Sequence, residues 1–166
     1  DPAGLQRIDQ ALWIRLLQNE RANLYAALDT AIAIGERQTA AELGLGLFSL
    51  WIVRGYFNEA LYWVGRVLDM PSAEPWPVAT ELRLRNNTAI CAQRLYDFDR
   101  AFGLFNRCLE LARAEDDRVW IANLENNLGR LLLDAGRPAE AGGYLERACT
   151  AYQTAAEHML GYALVG

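Results

Sequence analysis

The sequence predicts an all-α fold, a solenoid of antiparallel helix pairs. Alanine and leucine dominate a hydrophobic fraction of 52%, whereas valine and isoleucine are sparse, and this balance favours helices over strands. A short motif recurs at intervals of about 40 residues. After each copy, apolar residues recur at steps of four and three positions, which places them on one face of a helix. Together these observations indicate a helical repeat.

The recurring motif is a tight turn that ends on an alanine. Its copies span residues 55–60, 96–101 and 136–141. The closing alanines, Ala60, Ala101 and Ala141, are 41 and 40 residues apart (101 − 60 and 141 − 101). Gly55 and Gly136 come directly after apolar-periodic segments, as a glycine that caps the end of a helix does. Each copy therefore joins the end of one helix to the start of the next.

A second helix begins directly after each turn. In the third copy its first position is Pro138, and proline is favoured there because a first-turn N–H has no helical partner to lose. The apolar stripes of these helices are Ala60, Val64 and Val67; Ala101, Phe105, Cys108 and Ala112; and Ala141, Leu145, Ala148 and Tyr152. The preceding helices repeat as well, since asparagine pairs stand at 86–87 and 126–127, 40 residues apart (126 − 86).

The predicted layout is a single domain over residues 1–166. It comprises an N-terminal helical segment (5–35), three repeats (39–69, 78–114 and 117–156) and the start of a truncated fourth repeat (158–166). Helices are expected at residues 40–54, 57–69, 78–95, 98–114, 118–135 and 138–156. Thr39 and Glu42 have the spacing of a capping box that opens the first of these helices. Residues 70–77 contain three prolines and are predicted to form a loop.

The two ends of the chain need separate interpretations. Near the start, one helical stripe passes through Ile8, Leu12, Leu16, Leu24, Leu28 and Ile32. This region is one long helix or two helices joined near Asn19, and one helix is favoured. The chain has no initiator methionine and stops within the apolar run 159–166, so a fragment of a longer protein is expected. At that end we expect part of the third stripe to be exposed, with the tail docked on it or self-association through it.

The charge balance argues against nucleic-acid binding by this segment. The formal net charge is −5, and the 16 basic residues, all arginine, are scattered among 21 acidic ones. Duplex binding requires clustered basic residues that displace counterions from the phosphates. The sequence has no signal peptide and no run of 18 apolar residues, so no membrane association is expected.

Residues that carry catalytic or metal chemistry are isolated in this sequence. His158 is the only histidine, and Ser49 and Ser72 have no histidine partner at the spacing of a nucleophile motif. The cysteines, Cys91, Cys108 and Cys149, are odd in number and form no C-x-x-C pair. We expect reduced thiols in a cytoplasmic protein that has no catalytic residues, no metal and no cofactor.

The third repeat resembles tetratricopeptide repeats. Asn127-Leu128-Gly129 matches the small-residue segment of the family's first helix, and Gly136 matches its turn glycine. Ala141 and Ala148, with Leu145 and Pro138 between or before them, match its second helix. The resemblance implies a right-handed α–α superhelix that binds protein or peptide partners in a concave groove. The 40-residue period exceeds the family's usual 34 and implies helices about one turn longer.

A narrower resemblance covers most of the chain. Residues 20–28, Glu-Arg-Ala-Asn-Leu-Tyr-Ala-Ala-Leu, are similar to the E-x-x-N-L-x-A-A-L stretch that opens the helical-repeat region of MalT-like and AfsR-like bacterial signal-transduction ATPases. Residues 51–60 are similar to a later stretch of that region. Such regulators often carry a LuxR-type DNA-binding domain. The resemblance implies a region that senses a small-molecule inducer or a protein partner. The present sequence has no phosphate-binding loop and no recognisable helix-turn-helix, so ATP and DNA would bind elsewhere in the parent protein.

The tetratricopeptide resemblance also assigns residues to the concave groove. The candidate partner-binding residues are Arg83, Asn86, Gln93, Arg94, Asn123, Asn126 and Arg130. Their groove neighbours would be Ile90 and Asp134, with Leu45, Ser49, Ile52 and Val53 from the more apolar first repeat. Arg94 and Arg130 are suited to holding a carboxylate, because guanidinium groups make charge-assisted bidentate hydrogen bonds. The alternative is that the asparagines are structural and the arginines are simply solvated.

The sequence leaves two functions open. The first is a non-catalytic interaction and effector-sensing module of a multidomain transcriptional regulator. The second is a free-standing adaptor that binds a peptide of a partner protein. The tryptophans do not distinguish them: Trp51 and Trp63 are expected to pack between helices, and Trp76 to fill the loop at 70–77, rather than to form a ligand cage.

Overall fold

The protein is all-α throughout the part that its computed structural model describes, the backbone of residues 12–165 and the side chains of residues 12–153. The predicted fold class is confirmed. Eight helical segments occur in this part: α1 (12–19), α2 (Arg21–Ala33), α3 (Arg37–Arg54), α4 (Phe57–Leu68), α5 (Val78–Arg94), α6 (Phe98–Ala114), α7 (Arg118–Asp134) and α8 (Pro138–Val165). The helices from α3 onward begin within about three residues of the predicted positions, because each has a local start or stop signal.

The N-terminal region is two helices, so the preferred single helix is wrong. Helix α1 ends before Glu20 and α2 begins after it. Helical hydrogen bonds continue across the junction, since the Glu20 N–H donates to the Leu16 carbonyl at 3.0 Å and the Leu24 N–H donates to the Glu20 carbonyl at 2.9 Å. Neither glycine nor proline marks the junction, and the apolar stripe runs through it. Residues 5–11 of the predicted segment lie outside the described residues.

Five helices end at a residue with left-handed backbone geometry. These residues are Gly35, Gly55, Tyr96, Asp116 and Gly136. At each one, the next residue donates its N–H to a carbonyl five positions earlier, as Tyr56 does to Trp51 at 2.9 Å and Arg137 to Leu132 at 2.8 Å. Three neighbouring pairs are 20 residues apart (55 − 35, 116 − 96 and 136 − 116). The repeat is therefore built from half-units of one helix and one left-handed turn.

The starts of the helices differ from the prediction at α3. This helix begins at Arg37, so Thr39 lies inside it and the proposed capping box is wrong. Aspartates cap two later helices instead. The Asp97 carboxylate accepts from the Arg100 N–H at 3.3 Å, and the Asp117 carboxylate accepts from the Trp120 N–H at 3.0 Å.

The chain divides into two compact units, Asp1–Cys91 and Ala92–Gly166, with the division inside α5. In the first unit, α3 packs against α2 and α4. In the second, α7 packs against α6 and α8. The single domain and the boundaries of its repeats remain predictions.

The loop after α4 is closed by a tryptophan, as predicted. Trp76 is only 8% exposed, and its indole N–H donates to the Leu68 carbonyl at 3.4 Å. The Arg37 guanidinium lies 3.9 Å from the centre of the Trp76 ring and donates to the Glu74 carbonyl at 3.0 Å. One arginine therefore attaches the loop to α3 through both a cation–π contact and a hydrogen bond.

A buried polar chain connects the three helices of the first unit. Trp51 on α3 is fully buried, and its indole N–H donates to the Tyr25 hydroxyl on α2 at 2.9 Å. That hydroxyl donates in turn to the Glu59 carboxylate on α4. The ring of Trp63 lies 5.3 Å from that of Tyr25. Trp51 and Trp63 thus pack between helices, as predicted. Burial, together with the hydrogen bond to Glu59, raises the pKa of Tyr25 to about 12.

This shift predicts a loss of stability at high pH. Between about pH 10 and 12 the unfolded chain releases the Tyr25 proton while the folded chain retains it, so the free energy of unfolding falls as pH rises. Tyr25→Phe removes this contribution. We expect the drop in Tm between about pH 9 and pH 11 to be smaller in Tyr25→Phe than in the parent chain. Tyr62→Phe, a change at an exposed tyrosine, should keep the full drop. Equal drops in all three proteins would contradict the assignment.

The second unit buries the predicted stripes of α6 and α8. Ala101, Phe105, Cys108 and Ala112 of α6 are fully buried. On α8, Ala141 and Ala148 are buried as well, so the expected exposure of this stripe is wrong for these two residues. Leu145 is half-buried, and Tyr152 is 42% exposed. The fourth repeat also lacks its predicted start, because α8 continues without a break from Pro138 to Val165.

Candidate functional site

The predicted groove residues lie on two helices, α5 and α7. Arg83 and Asn86 belong to the part of α5 that lies in the first unit. The remaining five, all in the second unit, are Gln93, Arg94, Asn123, Asn126 and Arg130. The candidate site is therefore the set that the second unit holds together.

A direct hydrogen bond joins the ends of α5 and α7. The Gln93 side-chain amide donates to the Asp134 carboxylate at 2.6 Å. Arg94 follows Gln93 in the last turn of α5. Arg130 lies four residues before Asp134, on the same side of α7. The structure therefore places Arg94 and Arg130 on either side of one inter-helix bond.

Both arginines are available to a ligand. Arg94 and Arg130 are exposed, and within the described side chains neither makes an ion pair or a side-chain hydrogen bond. By contrast, Arg113 and Arg147 of the same unit are bound to Glu125. The two candidate arginines can therefore meet an external carboxylate without first breaking an internal pair.

The asparagines of the predicted groove have different roles. The carbonyl oxygen of the Asn123 side chain accepts from the Tyr152 hydroxyl on α8 at 2.6 Å. Asn86 and Asn127 also interact within the chain. Asn126 is half-buried. The structural interpretation therefore holds for Asn123, which links α7 to α8, whereas the arginines remain candidates for binding.

A buried carboxylate beside the site was missed in the sequence. Glu125 on α7 has a side chain that is only 4% exposed. One of its oxygens, Oε1, accepts from Arg113 of α6 at 3.1 Å and from Arg147 of α8 at 2.9 Å. This Arg–Glu–Arg bridge joins all three helices of the second unit. The sequence signal was an acid between Leu124 and Leu128, in the middle of an apolar helix.

Tyr96 is the second residue that the sequence pattern did not reveal. It stands where the aligned copies of the turn motif have Gly55 and Gly136, and its φ of 62° is left-handed. Its side chain is 80% exposed. The misfit in the motif alignment was the available signal. It identifies an exposed aromatic ring two residues after Arg94.

The cysteines have the character of packing residues. Cys91 and Cys108 are buried and Cys149 is exposed, all as free thiols. Burial raises the pKa of the Cys91 thiol to about 11, which disfavours the reactive thiolate. Among the described residues, no group of three His, Cys, Asp or Glu side chains could hold a metal ion. The side chain of His158 lies outside that part of the chain.

The helices also differ from membrane spans. Within the described residues, none combines the length and the apolar character that a bilayer crossing needs.

Comparison with known proteins defines the class and part of the family. The chain is similar to the solved structure of BtubC (BKLC) from P. vanneervenii, with a TM-score of 0.65 and 16% sequence identity. The match covers 83% of this chain and 57% of that one, so it extends over little more than half of BtubC. At this level of identity the likeness shows the fold, which is that of a helical-repeat protein.

The family model described as "Tetratricopeptide repeat" matches residues 80–154. The match covers nearly all of the second and third predicted repeats and confirms the tetratricopeptide resemblance there. No curated protein sequence matches the chain.

Proposed function

We propose that this chain is a non-catalytic binding module that holds an acidic peptide of a partner protein at Arg94 and Arg130. Tetratricopeptide repeats are in general protein–protein interaction modules, and residues 80–154 match that family. The observation that carries the proposal is the pair of exposed arginines, without internal partners, beside the Gln93–Asp134 bond.

The geometry favours a carboxylate ligand. A guanidinium group binds a carboxylate through two parallel hydrogen bonds, each stronger than a neutral one. The Gln93–Asp134 bond at 2.6 Å fixes the separation of the two helices that carry the arginines. Part of the ordering entropy is therefore lost on folding and not on binding, which favours affinity.

The proposal predicts a loss of binding in Arg94→Ala/Arg130→Ala. The probe is a fluorescent pentapeptide, Glu-Glu-Phe-Glu-Glu, measured by fluorescence anisotropy. Losing the charge-assisted bonds should raise Kd at least tenfold, since a tenfold change corresponds to about 1.4 kcal/mol. The slope of log Kd against log salt concentration should also become flatter.

A matched variant controls for net charge. Arg15→Ala/Arg118→Ala removes two exposed arginines outside the site and should bind the peptide as the parent chain does. The glutamine peptide Gln-Gln-Phe-Gln-Gln should bind weakly to every variant. Equal binding of the acidic peptide by both double variants would remove Arg94 and Arg130 from the site.

The parent protein is a further part of the proposal. We propose a sensor arm of a MalT-like or AfsR-like regulator in the cytoplasm, where a small-molecule inducer and self-association through repeat ends are additional possibilities for ligand and assembly. What supports it is the similarity at residues 20–28 and 51–60. The alternative is a free-standing adaptor. A phosphate-binding loop upstream in the full-length gene would support the regulator, and a short complete reading frame would support the adaptor.

A further inference from the structure

Tyr96 occupies a backbone position that suits glycine. Its φ is 62°, and the corresponding turns at Gly35, Gly55 and Gly136 have glycine at this position. A side chain with a Cβ loses stability in the left-handed region, whereas glycine does not. Asp116 is the other non-glycine residue in this conformation within the described chain, and aspartate tolerates it better than a bulky residue.

Packing does not explain the tyrosine. Its side chain is 80% exposed, more than that of any other large hydrophobic residue in the described part of the chain. The ring has one aromatic neighbour, Phe98, at 6.0 Å in an edge-on arrangement. A strained backbone together with a solvent-exposed ring favours a role at the surface over a role in folding.

The position of Tyr96 relates it to the two arginines. It follows Arg94 by two residues, at the end of α5 that the Gln93–Asp134 bond holds against α7. An aromatic ring therefore lies at the edge of the cationic pair. Tyrosine and arginine are among the residue types most enriched where interfaces derive their binding energy.

We propose that Tyr96 contacts the partner directly, and that the partner segment carries an aromatic or apolar side chain next to its carboxylates. This inference rests on the proposed function of Arg94 and Arg130. The carboxylates of the peptide bind the arginines by charge complementarity. Its apolar side chain covers the exposed face of the Tyr96 ring and removes apolar surface from water.

The test uses Tyr96→Gly, which removes the ring and relieves the backbone strain in one change. Asp116→Gly is the matched control, because it relieves the same left-handed strain at another turn of the second unit. Binding is measured for two probes, Glu-Glu-Phe-Glu-Glu and Glu-Glu-Ala-Glu-Glu. Thermal unfolding is measured alongside, so that a loss of binding can be separated from a loss of folding.

We expect the parent chain to bind the phenylalanine peptide about tenfold more tightly than the alanine peptide. Tyr96→Gly should lose this preference, with Tm unchanged or raised by up to about 4 °C. Asp116→Gly should keep the preference. If Tyr96→Gly still prefers the phenylalanine peptide while Arg94→Ala/Arg130→Ala has lost binding, the role of Tyr96 is wrong and the arginine site stands. If the arginine variant binds as the parent chain does, or the parent chain binds neither peptide, the proposed function is wrong and this inference with it.

Discussion

Replacing both Arg113 and Arg147 with alanine is expected to lower the free energy of unfolding by about 3 kcal/mol. The double change leaves the Glu125 carboxylate on α7, with its side chain only 4% exposed, without a cation. A buried charge that loses its partners is strongly destabilising. The value lies at the low end of the usual range because both arginines are about half exposed and water can enter where they were. The corresponding fall in Tm is about 6–12 °C.

Comparison with a surface pair isolates the effect of burial. Arg107→Ala/Arg137→Ala removes two arginines that pair with exposed glutamates three residues away on the chain. That change should cost at most about 1 kcal/mol. Arg113→Ala or Arg147→Ala alone should cost less than half of the double change, because one cation then remains on Oε1 of Glu125. If chemical denaturation gives equal stabilities for the two double variants, Glu125 does not depend on its bridge.

Gly129→Ala should destabilise the chain by about 2 kcal/mol, although alanine is the better helix former. A Cβ at Gly129 would lie 2.6 Å from both Cγ and Cδ2 of Leu145 and 3.4 Å from the Ala141 carbonyl oxygen. The first two distances are well inside van der Waals contact, so α7 and α8 would have to separate or Leu145 would have to leave its rotamer. Denaturant titration measures the loss as a lower midpoint with an unchanged slope.

Two further variants test whether contact is the cause. At Gly103 of α6, a Cβ meets no atom within 4 Å, so Gly103→Ala should raise stability by about 0.5–1 kcal/mol. In a Leu145→Ala background the overlap is gone, and adding Gly129→Ala should then be neutral or stabilising. A loss of similar size in both backgrounds would show that the close approach of α7 and α8 at this point does not cause it.

The candidate site was predictable in part. The repeat register placed Arg94 and Arg130 on the same faces of successive first helices, and the structure places both at the surface beside one inter-helix bond. The register could not show that Asn123 is bound to Tyr152, because the two residues are 29 positions apart on different helices. It also passed over Tyr96, since a turn motif read for its glycines gives no weight to the residue that replaces one.

The sequence by itself determined the helices and most of their ends. Helix α6 occupies its predicted range, and α4 and α7 end one residue before theirs. These features arise from local physics: helical periodicity selects the buried face, and a left-handed residue with its backward hydrogen bond ends the helix. Such signals lie within a few residues of the structure that they specify.

Tertiary structure decided the features that depend on residues far apart in the chain. Glu125 is buried only because Arg113 comes to it from 12 residues before and Arg147 from 22 residues after. The break at Glu20 has no glycine or proline, and no local signal separates α1 from α2. A charge can leave water, and a helix can end without a stop signal, when neighbouring helices supply the compensating contacts. Which helices become neighbours is set by packing of the whole chain.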